Sequence, residues 1–233
     1  GRSYSGGSQY AFAGIKNVRI WKKALTDAEL QSMTSTTEGI AISAVKKTTI
    51  ANAPNNTGLV GYWSFEDGSG TKAEDFSPTG TNTGTLTNGP TWVDGKIGKA
   101  LSFDGTNDYV SISDPVSGIL DFGTGDFSAS VWIKVNGSTP KRVVNKFNGT
   151  GADGWLLDIN ETTGGAAAAG HVRFRMNDVN SNDFDYATDG NVDDGNWHNV
   201  SVSLDRDSVT GLKIFVDGLQ IGTSQNPTAV SGS

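Results

Sequence analysis

Apolar residues alternate with polar ones along most of this chain, in short runs separated by turn-forming residues. Leu59 to Phe65, Ala100 to Phe103, Tyr109 to Ile112 and Phe127 to Val135 are the first such runs after Gly58. Val143 to Phe147, Trp155 to Ile159, Val172 to Met176, Trp197 to Leu204 and Leu212 to Val216 follow. Gly, Asn, Asp or Pro bounds each run, and that pattern predicts strands and tight turns, not helices. Asp217-Gly218 between two apolar runs is a hairpin signal, because both residues tolerate positive φ.

The first part of the chain reads differently. Ile15 to Trp21 alternates as a half-buried strand, and Thr26-Asp27-Ala28-Glu29 has the form of a capping box ahead of Leu30 and Met33, predicting one short helix. From about Thr34 to Thr57 a Thr- and Ala-rich stretch with Pro54 and Asn55-Asn56 reads as a linker, with room for one added strand around Ile40 to Val45. Gly164 to Gly170 has helical propensity at its alanines, but its bracketing glycines predict a loop.

Length and composition narrow the class. The 233 residues hold one large all-β domain, and 31 glycines supply its turns. A formal charge of −7 without any cluster of Lys or Arg excludes a phosphate-backbone partner, so nucleic acid is not expected. There is no run of 18 apolar residues, so no membrane insertion is expected. The absence of cysteine removes disulfides, thiolate metal sites and cysteine nucleophiles. The chain opens at Gly1 without Met or signal sequence, which suggests a piece of a longer or processed polypeptide.

Gly58-Leu59-Val60-Gly61-Tyr62-Trp63-Ser64-Phe65-Glu66-Asp67-Gly68-Ser69-Gly70, with Asp75-Phe76-Ser77 and Gly84-Thr85-Leu86, resembles the opening of laminin-G-like, concanavalin-A-like jelly-roll domains. Gly98 to Gly105, Asn107 to Val110, Phe127 to Lys134, Trp197-His198 and Ile214 to Gly218 continue the likeness. Residues 14 to 30 are similar to that family's closing strand and capped helix, yet here they come first. The resemblance therefore covers residues 1–33, the terminal strand and helix, and 58–233, the main body, with 34–57 as linker. It implies an all-β fold, a two-sheet antiparallel jelly-roll sandwich with one short helix. Three arrangements stay open: one period cut from a tandem repeat, a permutant that completes itself, or strand complementation in which residues 1–33 complete a neighbouring copy.

The family likeness also implies an extracellular or cell-surface binding or adhesion module for a glycan or a surface protein. The alternative is a structural repeat joined head-to-tail with neighbouring copies of itself. No enzyme is expected. A glycosidase needs facing carboxylates, and Glu66-Asp67 and Asp205 and Asp207 around Arg206 read as turn carboxylates. A Gly-x-Ser-x-Gly elbow is missing, and His171 and His198 read as structural or surface residues. Calcium is the candidate cofactor, with Asp75, Asp104 and Asp108 in loops as oxygen ligands, against the alternative that they cap turns. Asp153 falls where related pentraxins bring a calcium ligand, but their partner acidic residues are missing from the segment matching Gly1 to Ala11. For ligand binding, His171, Arg173, Arg175 and Asn177 form a polar row opposite Val172, Phe174 and Met176, with Trp155 and Tyr186 nearby. Such a row can hydrogen-bond a sugar or present cations to an anionic glycan; the alternative is an ordinary solvated strand face. Trp63, Trp92, Trp132 and Trp197 are assigned to folding. The sequons at Asn55, Asn148, Asn160 and Asn199 fit surface loops or strand edges; the alternative is that an Asn-rich, acidic sequence generates such matches by chance.

Overall fold

A computed structural model of the chain describes residues 12–34, 56–113, 118–147, 154–162, 166–178 and 183–228. In chain order these hold β1 (Phe12–Trp21), α1 (Asp27–Ser32), β2 (Leu59–Trp63), β3 (Lys72–Ala73), β4 (Gly84–Thr87), β5 (Thr91–Asp94), β6 (Lys99–Asp104), β7 (Tyr109–Ser111) and β8 (Phe127–Asn136). They continue with β9 (Lys141–Asn145), β10 (Gly154–Glu161), β11 (Ala167–Asn177), β12 (Asp183–Asp189), β13 (Asp194–Leu204), β14 (Leu212–Val216) and β15 (Leu219–Gln225). The expected strand around Ile40 to Val45, Asp153, and the sequons at Asn55 and Asn148 lie outside the described residues.

The fold is the all-β antiparallel sandwich. A large sheet runs β15-β14-β13-β8-β1-β6-β5 with β2 also on β1, and a second runs β12-β11-β10-β9. Val131, Ile133, Val200, Val202 and Ile214 from the first meet Leu157, Ile159, Val172, Phe174 and Met176 from the second in one buried core. A third, small sheet, β3-β4-β7, is an addition to the expected pair. It exists because two neighbouring strand pairs are interrupted side by side. β5 pairs with β6 in the large sheet, whereas β4 pairs with β7 in the small one. The breaks fall at Asn88-Gly89-Pro90 and Asp104 to Asp108, and the Asn88 amide ties them by donating to the Asn107 carbonyl at 2.8 Å.

β1 occupies the middle of the large sheet. One edge pairs with β8; along the other, Phe12 to Ile15 pair with β6 and Val18 to Trp21 with β2. Asn17, at φ 51°, makes a bulge that shifts the register on β8 between Lys16 and Arg19. The bulge explains how Ile15, Val18 and Ile20 all reach the core although their spacing breaks strict alternation.

After β1 the chain straps across the outer face of the large sheet. The expected capping box forms, with Glu29 N–H donating to Thr26 Oγ1 and Thr26 N–H to Glu29 Oε2 at 2.8 Å. Leu25 N–H donates to Ser128 Oγ at 2.9 Å. Trp21, Leu25, Leu30, Met33, Leu59, Tyr62 and Phe215 then form a second, smaller core beneath the strap. This cover explains why Ser128 and Ser130 on the outward face of β8 are buried, whereas Lys134 and Asn136 farther along that face are exposed.

Two local expectations are corrected. Ala167 to Ala169, read as loop, are the start of β11. The strand reaches them because the Asn160 side chain accepts from Gly170 N–H at 2.8 Å and holds the two strands together past the bulge in β10. Asn160 and Asn199, read as surface sequons, are buried. Asn160 donates to the Gly137 and Thr139 carbonyls, and Asn199 to Ser130 Oγ at 3.1 Å.

Candidate functional site

β11 divides its side chains as its alternation requires. Val172, Phe174 and Met176 are fully buried in the core, and His171, Arg173, Arg175 and Asn177 stand on the opposite face of the four-stranded sheet. β12 lies alongside and presents Asp183 and Asp185 on that same face. The arginines reach diagonally across the ladder. Arg173, whose direct partner is Ala187, donates from Nε to Asp185 Oδ1 at 2.8 Å and from Nη2 to Oδ2 at 3.2 Å. Arg175, opposite Asp185, forms the equivalent pair with Asp183, both bonds at 3.0 Å. With its nitrogen toward Asp183, the Asn177 amide donates to Asp183 Oδ1 at 2.8 Å.

Behind this row is a buried ionic cluster. Arg173 also pairs with Glu161 and with Asp158, and Asp158 accepts from Arg142 Nε at 3.1 Å. Asn160, at φ 64°, bulges β10, and the register shift between Ile159 and Glu161 turns Glu161 back toward Arg173. The Asp158 side chain has no exposure. Burial pushes its carboxyl well above the usual carboxylate range; Arg142 opposes this and the neighbouring Glu161 reinforces it. Burial also works against the Arg173 charge, but hydrogen bonds to Asp185 and the charges of Asp185, Asp158 and Glu161 outweigh it and raise its pKa.

This arrangement separates the six expected ligand residues. His171, Arg173, Arg175 and Asn177 share a face. Trp155 and Tyr186 do not join them: in register with Met176 and Phe174, they point to the core side. Trp155 packs beside the stacked rings of Phe127 and Phe122, centroids 5.0 and 6.3 Å away, and the Tyr186 hydroxyl accepts from Thr223 N–H at 3.1 Å. Arg173 is buried and Arg175 is one-third exposed, so the part of the row open to solvent is His171, Arg175 and Asp183. The row is also not a free cationic surface. Arg142, Arg173 and Arg175 face Asp158, Glu161, Asp183 and Asp185, and the two β12 carboxylates were missed by sequence reasoning.

The three calcium candidates act as turn organisers. Asp75 is buried, and its carboxylate accepts from Tyr62 N–H, Ser77 N–H, Ser77 Oγ and Asn82 N–H at 2.9–3.1 Å. Asp104 Oδ1 accepts from the backbone N–H groups of Thr106 and Asn107, and Asp108 Oδ2 from that of Asp104. Among the described residues no three His, Asp or Glu side chains gather as a metal site.

A family model described as the concanavalin A-like lectin/glucanases superfamily matches residues 104–233. The chain belongs to this superfamily. No curated protein matches it. The matched stretch of this concanavalin A-like domain includes β7 to β15, and so the whole polar face built by β9 to β12. β1, α1 and β2 to β5 lie outside the match yet complete the same sandwich. Among the described residues, no helix of this concanavalin A-like domain is long and apolar enough to cross a membrane.

Proposed function

We propose that the domain is a non-catalytic binding module of a larger extracellular or surface protein, and that it holds an uncharged, hydroxyl-rich carbohydrate on the outer face of the four-stranded sheet. The observation that carries this reading is the solvent-open bidentate contact of Arg175 with Asp183, beside His171, on a row held in place by the buried bidentate contact of Arg173 with Asp185. The two contacts are two residues apart along β11, about 6.7 Å at strand spacing. Fixed forks of donors beside fixed acceptors suit hydroxyl groups, which both donate and accept. Because each arginine is matched by a carboxylate, the face favours a neutral glycan over an anionic one, and over the cationic presentation that the arginines alone suggest.

The test is retention on a panel of immobilised neutral and uronic or sulfated polysaccharides. Arg175→Ala and Asp183→Ala are expected to lose retention on a neutral glycan while keeping the melting temperature, since this partly exposed pair contributes only about 0–1 kcal/mol to stability. Retention that both variants preserve would overturn the assignment of the face. A surface protein as ligand predicts no glycan retention by the parent chain.

A further inference from the structure

We infer that Asp194, His198 and Asp217 form a pH-gated clasp that fastens the β14–β15 turn and, through it, the end of helix α1. The inference is independent of the carbohydrate reading, because the clasp belongs to the large sheet and its strap.

The geometry requires a doubly protonated ring. His198 Nδ1 stands 2.7 Å from Asp217 Oδ2, and Nε2 stands 3.0 Å from Asp194 Oδ1. Ionised carboxylates only accept, so both ring nitrogens must carry hydrogen, and the imidazolium is the one form of histidine that provides this. Asp217 and Gly218 are the two central residues of the turn between Val216 and Leu219, with φ 49° and 78°. Asp217 is bound to β13 by two further bonds: Asn199 N–H donates to its Oδ1 at 2.8 Å, and its own N–H donates to the Asn199 carbonyl at 2.9 Å. Asp194 is set by Asn196, whose backbone and side-chain N–H groups both donate to it at 2.8 Å. These bonds, with that from His198, hold the Asp194 carboxyl down at about 2, so it is a fixed anion.

The turn leads to the strap. A Cβ on Gly218 would come 3.2 Å from the Gln31 carbonyl and 3.3 Å from Thr34 Oγ1, so the bare turn backbone abuts the end of α1. Other charges do not compete for the ring. On β8 the ladder partner of His198 is Ile133, and the adjacent Lys134 stands opposite Trp197. On β14, Lys213 is engaged with Asp27 of α1 at 2.7 Å.

Burial opposes the His198 charge, but the two carboxylates outweigh it and raise its pKa above the ordinary 6.5. For a histidine raised in the folded state, the clasp is fully closed below 6.5 and opens as pH rises through the folded pKa. The neutral ring leaves one unprotonated nitrogen within 3.0 Å of a carboxylate oxygen, an acceptor facing an acceptor.

The test uses the full chain. Long-range proton–nitrogen NMR spectra are expected to show both His198 nitrogens protonated at pH 6, with a titration midpoint above 6.5. In Asp194→Asn and Asp217→Asn the midpoint falls, by about one unit or a tenfold change in proton affinity. Hydrogen exchange, corrected for its intrinsic pH dependence, is expected to show residues 212–222 and 27–34 losing protection between pH 6 and 9, with no such step in His198→Gln. A neutral tautomer at pH 6, a midpoint unmoved by Asp194→Asn, or a wild-type exchange step that persists in His198→Gln would overturn the clasp. Should His198→Gln not fold, Asp194→Asn carries the test alone.

Discussion

The Ser203 hydroxyl donates to the Leu25 carbonyl at 2.8 Å, joining positions 178 apart in the sequence. With Ser128 Oγ, which donates to the Lys23 carbonyl and accepts from Leu25 N–H, it anchors the strap on the outward serines of β13 and β8. The apolar residues of the strap then cover a sheet face that would otherwise be wet. Leu30 is fully buried there, and Leu30→Ala is expected to destabilise the chain by about 2–5 kcal/mol in urea unfolding. A loss under about 0.5 kcal/mol, the level of a surface substitution, would show that the second core adds little.

Removing residues 1–34 takes away the central strand of the large sheet and leaves the backbone of β8, β6 and β2 unpaired along one edge each. Such edges recruit other strands. The full chain is expected to be a monomer by light scattering across concentration, and the truncated chain to aggregate. Open-ended oligomers of the full chain that the truncation abolishes would instead mark residues 1–33 as a strand given to a neighbouring copy.

Arg173 and Asp158 predict opposite responses within one cluster. Arg173→Ala leaves Asp158 and Glu161 buried without their shared cation, and a broken buried pair of this kind costs about 3–5 kcal/mol. Asp158→Asn keeps the shape and mimics the protonated acid that burial favours. An acid whose folded pKa is raised stabilises the fold below its unfolded pKa and loses that contribution as pH rises toward the folded value. The melting temperature of Asp158→Asn relative to the parent is therefore expected to climb from pH 4 upward. A constant or falling difference would place an ionised Asp158 in the native state.

Gly98 makes room for a carboxylate. It sits at φ 64°, and a Cβ there would collide with Glu66 Oε2, the atom that accepts from Lys99 N–H. Glu66 also pairs with buried Lys16, whose amine burial and nearby Arg19 lower to about 8. Gly98→Ala therefore strains the backbone and expels Glu66, leaving Lys16 without its anion. A drop of at least about 1–2 kcal/mol is expected, and an unchanged melting temperature would deny Gly98 this role.

The buried amides of Asn160 and Asn199 predict that neither is modified in the folded protein. After secretion from a glycosylating host, peptide mass mapping is expected to find both unoccupied. A glycan on Asn160 would contradict its bonds to the Gly137 and Thr139 carbonyls.

The fold was legible where patterning was strong. The capping box at Thr26 and Glu29, the Asp217-Gly218 turn and the apolar runs from Leu59 to Val216 lie where their chemistry predicts. Three features were not legible. The bulges at Asn17 and Asn160 shift the register without any Gly or Pro to announce them. β12 was passed over because three aspartates in Asp183 to Asp189 argue against a strand by propensity, although Asp-Phe-Asp-Tyr alternates with period two. That omission misjudged the site as well. Without β12 the arginines of β11 look like free cations, and Trp155 and Tyr186 look like their neighbours; with it, both arginines are paired and both aromatics belong to the core side. The cross-strand meeting of His198 with Asp217 depends on how far β13 runs before its bulge, which local sequence does not encode.

The position of β1 has a mechanical consequence. An edge strand such as β15 can be peeled from its sheet one hydrogen bond at a time, so a small pulling force suffices. β1 is held along both sides, by β8 on one and by β6 and β2 on the other. Tension entering at Phe12 loads these ladders in shear, so their bonds share the load, and the strand resists being drawn out more than an edge strand would when it is pulled from that end.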